Sequence, residues 1–342
     1  SVMATLRSDI IIPEVFTPYV IEQTTQRDAF LASGVVQPMA ELNAADDGGD
    51  FIQVPFYKAN LSGDFERLTD SSSLTPGKIT ADKQVAAVLH RGRAFESRDL
   101  AALAAGSDPM AAIGAKIADY IANQRQKDLL SCLAGVFGAV GDTSSAAYAA
   151  LAVDGETGDT PTVLGPRQIV EGKSLLGDQG EKLTAICVHP KVYYDLMERR
   201  ALDFVYDDSG AADTAASQGS TAPAFGSVQV PTFMGMRVIV SADVQTAGSG
   251  SSTEYATYMF TQGAVASGEQ LGLQTETDRD ILAKSDAMSI DLHYVYHPVG
   301  SKFSTSVSNP TRAQLETVGN WTKVYETNNL GIVRITNTSN LD

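Results

Sequence analysis

The longest helical period in the chain runs from Ser107 to Gly138, and a rod of that size limits how the rest can be arranged. Asp108 is a good N-cap and Pro109 suits the first helical position. Met110, Ile113, Ile117, Tyr120, Ile121, Leu129, Leu130, Leu133 and then Val136 or Phe137 keep a stripe near 3.6 residues. Unbroken to Gly138, the helix is roughly 30 residues and about 45 Å long. Outside a coiled coil, such a helix is a strut. Its polar side (Lys116, Asp119, Asn123, Arg125, Lys127) reads as a solvated flank.

The front of the chain has too little apolar surface of its own. Residues 1–50 read as an arm, with Thr17–Pro18 as a helix start and Gly34 as its end. Tyr19, Val20, Phe30 and Leu31 make only a ragged face, which packs either on the same molecule or on a neighbour. Glu41 to Asp50 is a polar loop. Phe51 to Ala59 reads as a strand, at a sheet edge because Pro55 cannot donate to a ladder. Val85 to Phe95 is its expected return. About 25 polar residues lie between, long for a hairpin connection. A two-stranded excursion of this kind needs another surface to lie on.

Beyond the strut, Ser144 to Thr162 is a low-complexity connection. Pro166–Leu176 and Pro190–Arg200 read as short helices flanking a strand at Leu183–Val188. Asp207–Ser227 and Gly248–Ser252 are loose, small-residue loops. Within SVQVPTFMGMRVIVSADV, two β-segments are expected to join at Pro231–Gly235 by a proline-led, glycine-closed turn. Tyr255–Thr261 is a strand ending in a Gly263–Ala264 turn. Ser289–His297 alternates as a strand, Pro310–Leu315 starts a short helix and Gly331–Thr336 closes the chain as a strand. Helices and strands do not alternate regularly, so the fold class is α+β.

Charge and chemistry narrow the function. The formal net charge is −16, from 41 acidic and 25 basic residues, a poor balance for gripping phosphates. No apolar run approaches the roughly 20 residues of a membrane-spanning helix, and the first residues lack a secretory signal's apolar core. Cys132 and Cys187 sit in apolar contexts and read as buried free thiols, favouring a reducing compartment. No nucleophile elbow, Walker loop, dinucleotide fingerprint, zincin motif or C-x-x-C is present.

Four histidines remain. His293 and His297 could chelate a metal on a helix, but on a strand they stand roughly 13 Å apart. His90 and His189 read as packing residues. Glu276, Asp278 and Asp280, beside Arg279, are the candidate paired carboxylates, with a salt-bridged face as the plainer reading. Asp243 and Glu254 are the other acids near the central β-segments. Asn60 and Asn320 fit the glycosylation pattern without a signal to give it meaning. The expectation is no catalytic residue, no cofactor and no metal.

In order, these parts resemble the Hong Kong 97-type major capsid protein of tailed bacteriophages. The resemblance rests on CVHPKVYYDL, VPTFMGMRVIVSADV, TYMFTQGAVASGE, ETDRDILAKSDAMSIDLHYVYHPVGSKF, NPTRAQLETVGNW and GIVRIT, together with the strut and the long hairpin. It implies an N-arm at 1–50, an E-loop at 51–96, a P-domain at 97–160 and 289–342 with its spine helix near 108–138, and an A-domain at 161–288. It further implies self-assembly into pentamers and hexamers of an icosahedral shell around double-stranded DNA. The acidic balance would then let packaged DNA slide, although solubility alone also accounts for it. A separate scaffolding protein, a portal and decoration proteins are the implied partners. The implied location is the virion, after assembly in the host bacterial cytoplasm. Some family members cross-link an E-loop lysine; Lys58, Lys78 and Lys83 have no context that marks them, and no cross-link is expected. The alternatives are an encapsulin-type compartment of the same fold and, remotely, a hydrolase using Glu276, Asp278 and Asp280.

Overall fold

A computed structural model describes residues 30, 33–43, 49–58, 65, 67, 79–100, 103, 109–141, 146–154, 162–199, 203–206, 229–250 and 253–341. The expected helix at Thr17 and the loop at Asp207–Ser227 lie outside these residues.

The described chain begins with buried Phe30, a turn at Gly34 (φ 77°) and strand β1 (Val36–Pro38). β2 (Phe51–Tyr57) pairs antiparallel with β3 (Ala81–Ala87), and β2 is a sheet edge, as Pro55 requires. The expected single return strand is two. After Val88 the chain continues as β4 (Leu89–Arg98) in a different sheet. The physical reason is the run Val85-Ala86-Ala87-Val88-Leu89, buried on both faces where it passes between layers.

α1 (Pro109–Phe137) is the expected strut, 29 residues long. Its stripe is not evenly used. From Asp128 onward every residue is buried, whereas Ile113 and Ile117 are only half-buried and Tyr120 is exposed. The helix ends at Gly138 (φ 78°), whose carbonyl accepts from Nη1 of Arg334 at 2.8 Å. Arg334 is fully buried and stands where a cation offsets the negative end of the helix, a place that the helix's own last turn leaves without a basic residue. Burial pushes its pKa down.

The supposed connection after the strut carries β5 (Ala152–Asp154). α2 (Pro166–Leu175), β6 (Leu183–Val188) and α3 (Pro190–Glu198) follow as expected. β7 (Asp203–Tyr206), β8 (Gln229–Phe233), β9 (Met236–Val240), β10 (Thr246–Ala247) and β11 (Glu254–Thr261) add to the same sheet. The β8–β9 turn corrects the expectation. Pro231 is inside β8, and the turn is Met234–Gly235 alone, both at positive φ. The order β5-β16-β11-β6-β9-β8-β7, with β10 on β11, mixes parallel and antiparallel pairs, where β16 is Ile332–Asn337.

A second sheet, β1-β12-β13-β4, is dominated by the hairpin of β12 (Val265–Asp280) and β13 (Ser285–Pro298). Both strands are longer than their apolar segments suggested. A third sheet joins β14 (Ser301–Phe303) and β15 (Trp321–Lys323) to β3 and β2. α4 (Arg312–Glu316) starts with a Thr311–Gln314 capping box. It crosses α1 at Gly135, where a Cβ would lie 1.9 Å from the Leu315 carbonyl oxygen and 2.3 Å from Nε1 of Trp321.

Candidate assembly interface

Two peripheral surfaces carry large exposed apolar side chains. One is the far end of the β12–β13 hairpin, where β12, after its ladder with β1 ends at Ser267 and its Glu269 N–H donates to Asn43, pairs with no further strand on its outer side among the described residues. At the turn, Ile281 is 72% exposed and Leu282 96%. Asp99 N–H donates to the Lys284 carbonyl at 2.9 Å, which sets exposed Leu100 beside them; Leu103 is exposed as well. The tip is tied together by its own polar groups. Arg279 donates to Asp286 at 2.8 Å and to Asp99 at 2.7 Å, and the Asp280 carboxylate accepts from the N–H groups of Leu282 and Ala283. Those two backbone bonds lower the Asp280 pKa. The other surface is the β2–β3 hairpin, with exposed Tyr57, Phe65 and Ile79. Leu282 and Phe65 left in water forfeit roughly 1.5–3 kcal/mol each relative to burial.

The sheet bearing the first of these surfaces is anchored to α1. Asp128 is fully buried and accepts from Nε of Arg91 (3.1 Å), Nε of Arg312, and the Tyr294 hydroxyl (2.6 Å). One carboxylate thus ties β4, α1, β13 and α4 together. Arg91 also donates to the Pro310 carbonyl, and Arg312 to the Gln124 carbonyl and side chain. Burial, then Asp128, pushes the Tyr294 pKa up. The expected solvated flank of α1 is in part a binding edge. Arg125 pairs with Glu269 and lies 4.8 Å from the centre of the Tyr294 ring, and Lys127 pairs with Asp243 at 3.6 Å.

The remaining candidates fall into structural roles. Glu276, Asp278 and Asp280 alternate along β12 on an exposed strand face, not in a recess, so nothing in the geometry supports a hydrolase. His293 and His297 are indeed on one strand. His293 faces His90 across the ladder with ring centres 4.2 Å apart, and Nε2 of His90 lies 3.5 Å from Asp50. His90 thus packs on His293, as expected. His189 does more than pack: it caps α3 by accepting from the Lys191 N–H. His297 is buried against Trp321, and burial lowers its pKa to about 4. Cys132 and Cys187 are free and buried. Lys58 pairs with Asp82, Lys83 donates to Gln53, and Asn320 donates to the Gln314 carbonyl. Lys78 and Asn60 lie outside the described residues. Among the described residues no group of three or more His, Cys, Asp or Glu is placed to hold a metal ion, and no helix is long and apolar enough to cross a membrane.

Known proteins repeat this arrangement. Residues 15–330 match the family model described as major capsid protein 13-like. The major capsid protein of Bacillus phage SPP1 is 34% identical over 336 residues, covering 96% of each chain. At 12% identity, the Cyanophage Pam1 capsid superposes with a TM-score of 0.58 over 96% of this chain and 98% of its own. The Ralstonia phage GP4 capsid, 11% identical, does so at 0.57 over 99% and 98%. The fold is thus that of Hong Kong 97-like phage capsid subunits, and the chain belongs to the major capsid protein 13-like family.

Proposed function

We propose that this major capsid protein closes into an icosahedral shell of pentamers and hexamers around double-stranded DNA. Self-association into a shell is what the family does; the capsomer types and the contents are the finer reading. The observation that carries it is the set of exposed apolar side chains, Ile281 and Leu282 with Leu100 and Leu103 near the end of the β12–β13 hairpin, and Tyr57, Phe65 and Ile79 at the end of β2 and in the connection to β3. Copies arranged by symmetry bury such surfaces on one another, each giving and receiving the same contact. Many modest contacts round a closed lattice sum to a large stability.

In this reading residues 1–50 form the N-arm, 51–96 the E-loop, 97–160 and 289–342 the P-domain, and 161–288 the A-domain. A separate scaffolding protein guides assembly in the host bacterial cytoplasm, a portal occupies one vertex and decoration proteins add to the outside. The subunits hold together without covalent cross-links. A compartment for protein cargo lacks support, since the relatives named above are phage capsid proteins.

The test is assembly of purified protein, with and without scaffold, followed by negative-stain microscopy and sedimentation. Wild-type protein should form closed shells. Leu282→Asp should stay folded by circular dichroism yet assemble poorly, because it places a charge where a neighbour must be buried. Shells from Leu282→Asp indistinguishable from wild type would remove the tip from the interface.

A further inference from the structure

A recess of about 90 Å³ opens between α1, β4, β13 and α4. By the same measure one water needs about 10–15 Å³, so the recess has room for a small polyatomic group. Arg91, Arg93, Arg125 and Arg312 line it, against the single carboxylate of Asp128. Glu269, on Arg125, is a second carboxylate nearby, which leaves two positive charges uncompensated. That is a local reversal in a chain of net charge −16. Arg91 and Arg312 spend donors on Asp128, backbone carbonyls and side-chain amides. The other two guanidiniums are less committed. Nε of Arg125 is sealed from solvent with no acceptor, a costly state for a charged donor. Arg93, opposite Ile290 in the β4–β13 ladder, has no ion-pair partner among the described residues.

We propose that this recess is an oxyanion site and that in the assembled shell it takes a carboxylate side chain of a second copy, an assignment that rests on the shell reading above. Guanidinium forks match the planar geometry of a carboxylate and also accept phosphate. The carboxylate is favoured by supply and shape. Acidic residues outnumber basic ones 41 to 25. The recess admits one acid group, whereas duplex binding needs an extended basic surface.

Inorganic phosphate is the probe for the site itself, with unassembled subunit and chloride at equal ionic strength as the reference. Phosphate should raise the melting temperature saturably and chloride should not. Arg93→Gln should weaken that response at least tenfold while leaving the melting temperature in chloride unchanged. Equal effects of the two salts, or an undiminished response in Arg93→Gln, would overturn the site. Assembly then tests the occupant. Phosphate should raise the subunit concentration needed for wild-type shells several-fold, and Arg93→Gln should do the same without phosphate. Normal assembly of Arg93→Gln overturns the carboxylate occupant, as does Arg93-dependent binding of a short DNA duplex. Phosphate binding by a wild-type subunit that never forms shells overturns the shell reading and the occupant together, while the oxyanion site stands.

Discussion

Replacing Asp128 with Asn keeps the side chain's shape and removes its charge, and it should be among the most damaging single changes in this protein. Two Nε–H groups, from Arg91 and Arg312, and the Tyr294 hydroxyl point at its oxygens. An amide can accept at one atom only, and its NH₂ then faces a guanidinium. Removing one partner of a buried ionic cluster costs about 3–5 kcal/mol, because the remaining charges stay desolvated. The Arg312 side chain is 38% exposed, so solvent screens part of its share and the lower end, about 3 kcal/mol, applies. That is a large fraction of a stability of roughly 5–15 kcal/mol. With a urea slope of about 3 kcal/mol/M, the unfolding midpoint should fall by about 1 M. Trp321 is the chain's single tryptophan and is buried close to α4, so its fluorescence reports the transition without labelling. A midpoint for Asp128→Asn within about 0.3 M of wild type, some 1 kcal/mol on that slope, would refute the claim that one carboxylate holds four elements together.

Acid should weaken the fold through His297. Its folded pKa of about 4 lies below the unfolded value of 6.5, so between these the unfolded chain takes up a proton that the folded one refuses. Stability should therefore fall as pH drops from 6.5 toward 4, by up to about 3 kcal/mol, and His297→Gln should flatten that dependence of the urea midpoint. Gly135→Ala should lower the melting temperature sharply, since the new methyl meets the Leu315 carbonyl and the Trp321 indole; overpacking of this kind costs about 1–3 kcal/mol. Burial pushes the pKa of both Cys132 and Cys187 up, so neither should react with a thiol reagent until the protein is unfolded. With −16 per copy, added salt should promote assembly, because screening acts over about 8 Å at physiological ionic strength. A light-scattering yield that falls with sodium chloride would contradict this.

Much of the fold was legible because it is written in periodicity. The strut's stripe, the edge placement of Pro55 and the strands at 183–188 and 255–261 follow from spacing or from one residue's missing donor. What was missed depends on partners distant in sequence. Leu271 to Asp280 lacks apolar alternation, and it is a strand only because β13 lies alongside it. β5 is three residues that parallel β16 extends into order. The division of Val85–Phe95 into two strands could have been read from five successive apolar residues, too many for a strand with one wet face. The Asp128 cluster was invisible, because its members come from residues 91, 128, 294 and 312 and nothing local distinguishes them. Arg125 escapes a reading of the sequence for a related reason. A charge on a helix reads as solvated until an aromatic strand is known to pass beneath it.

Between β3 and β4 there is a single residue, Val88, and no loop. The outlying hairpin and the ladder that carries Arg91 are consecutive stretches of one backbone. A neighbour that tilts the hairpin should therefore shift the rungs next to α1, with no slack between the two to absorb the movement.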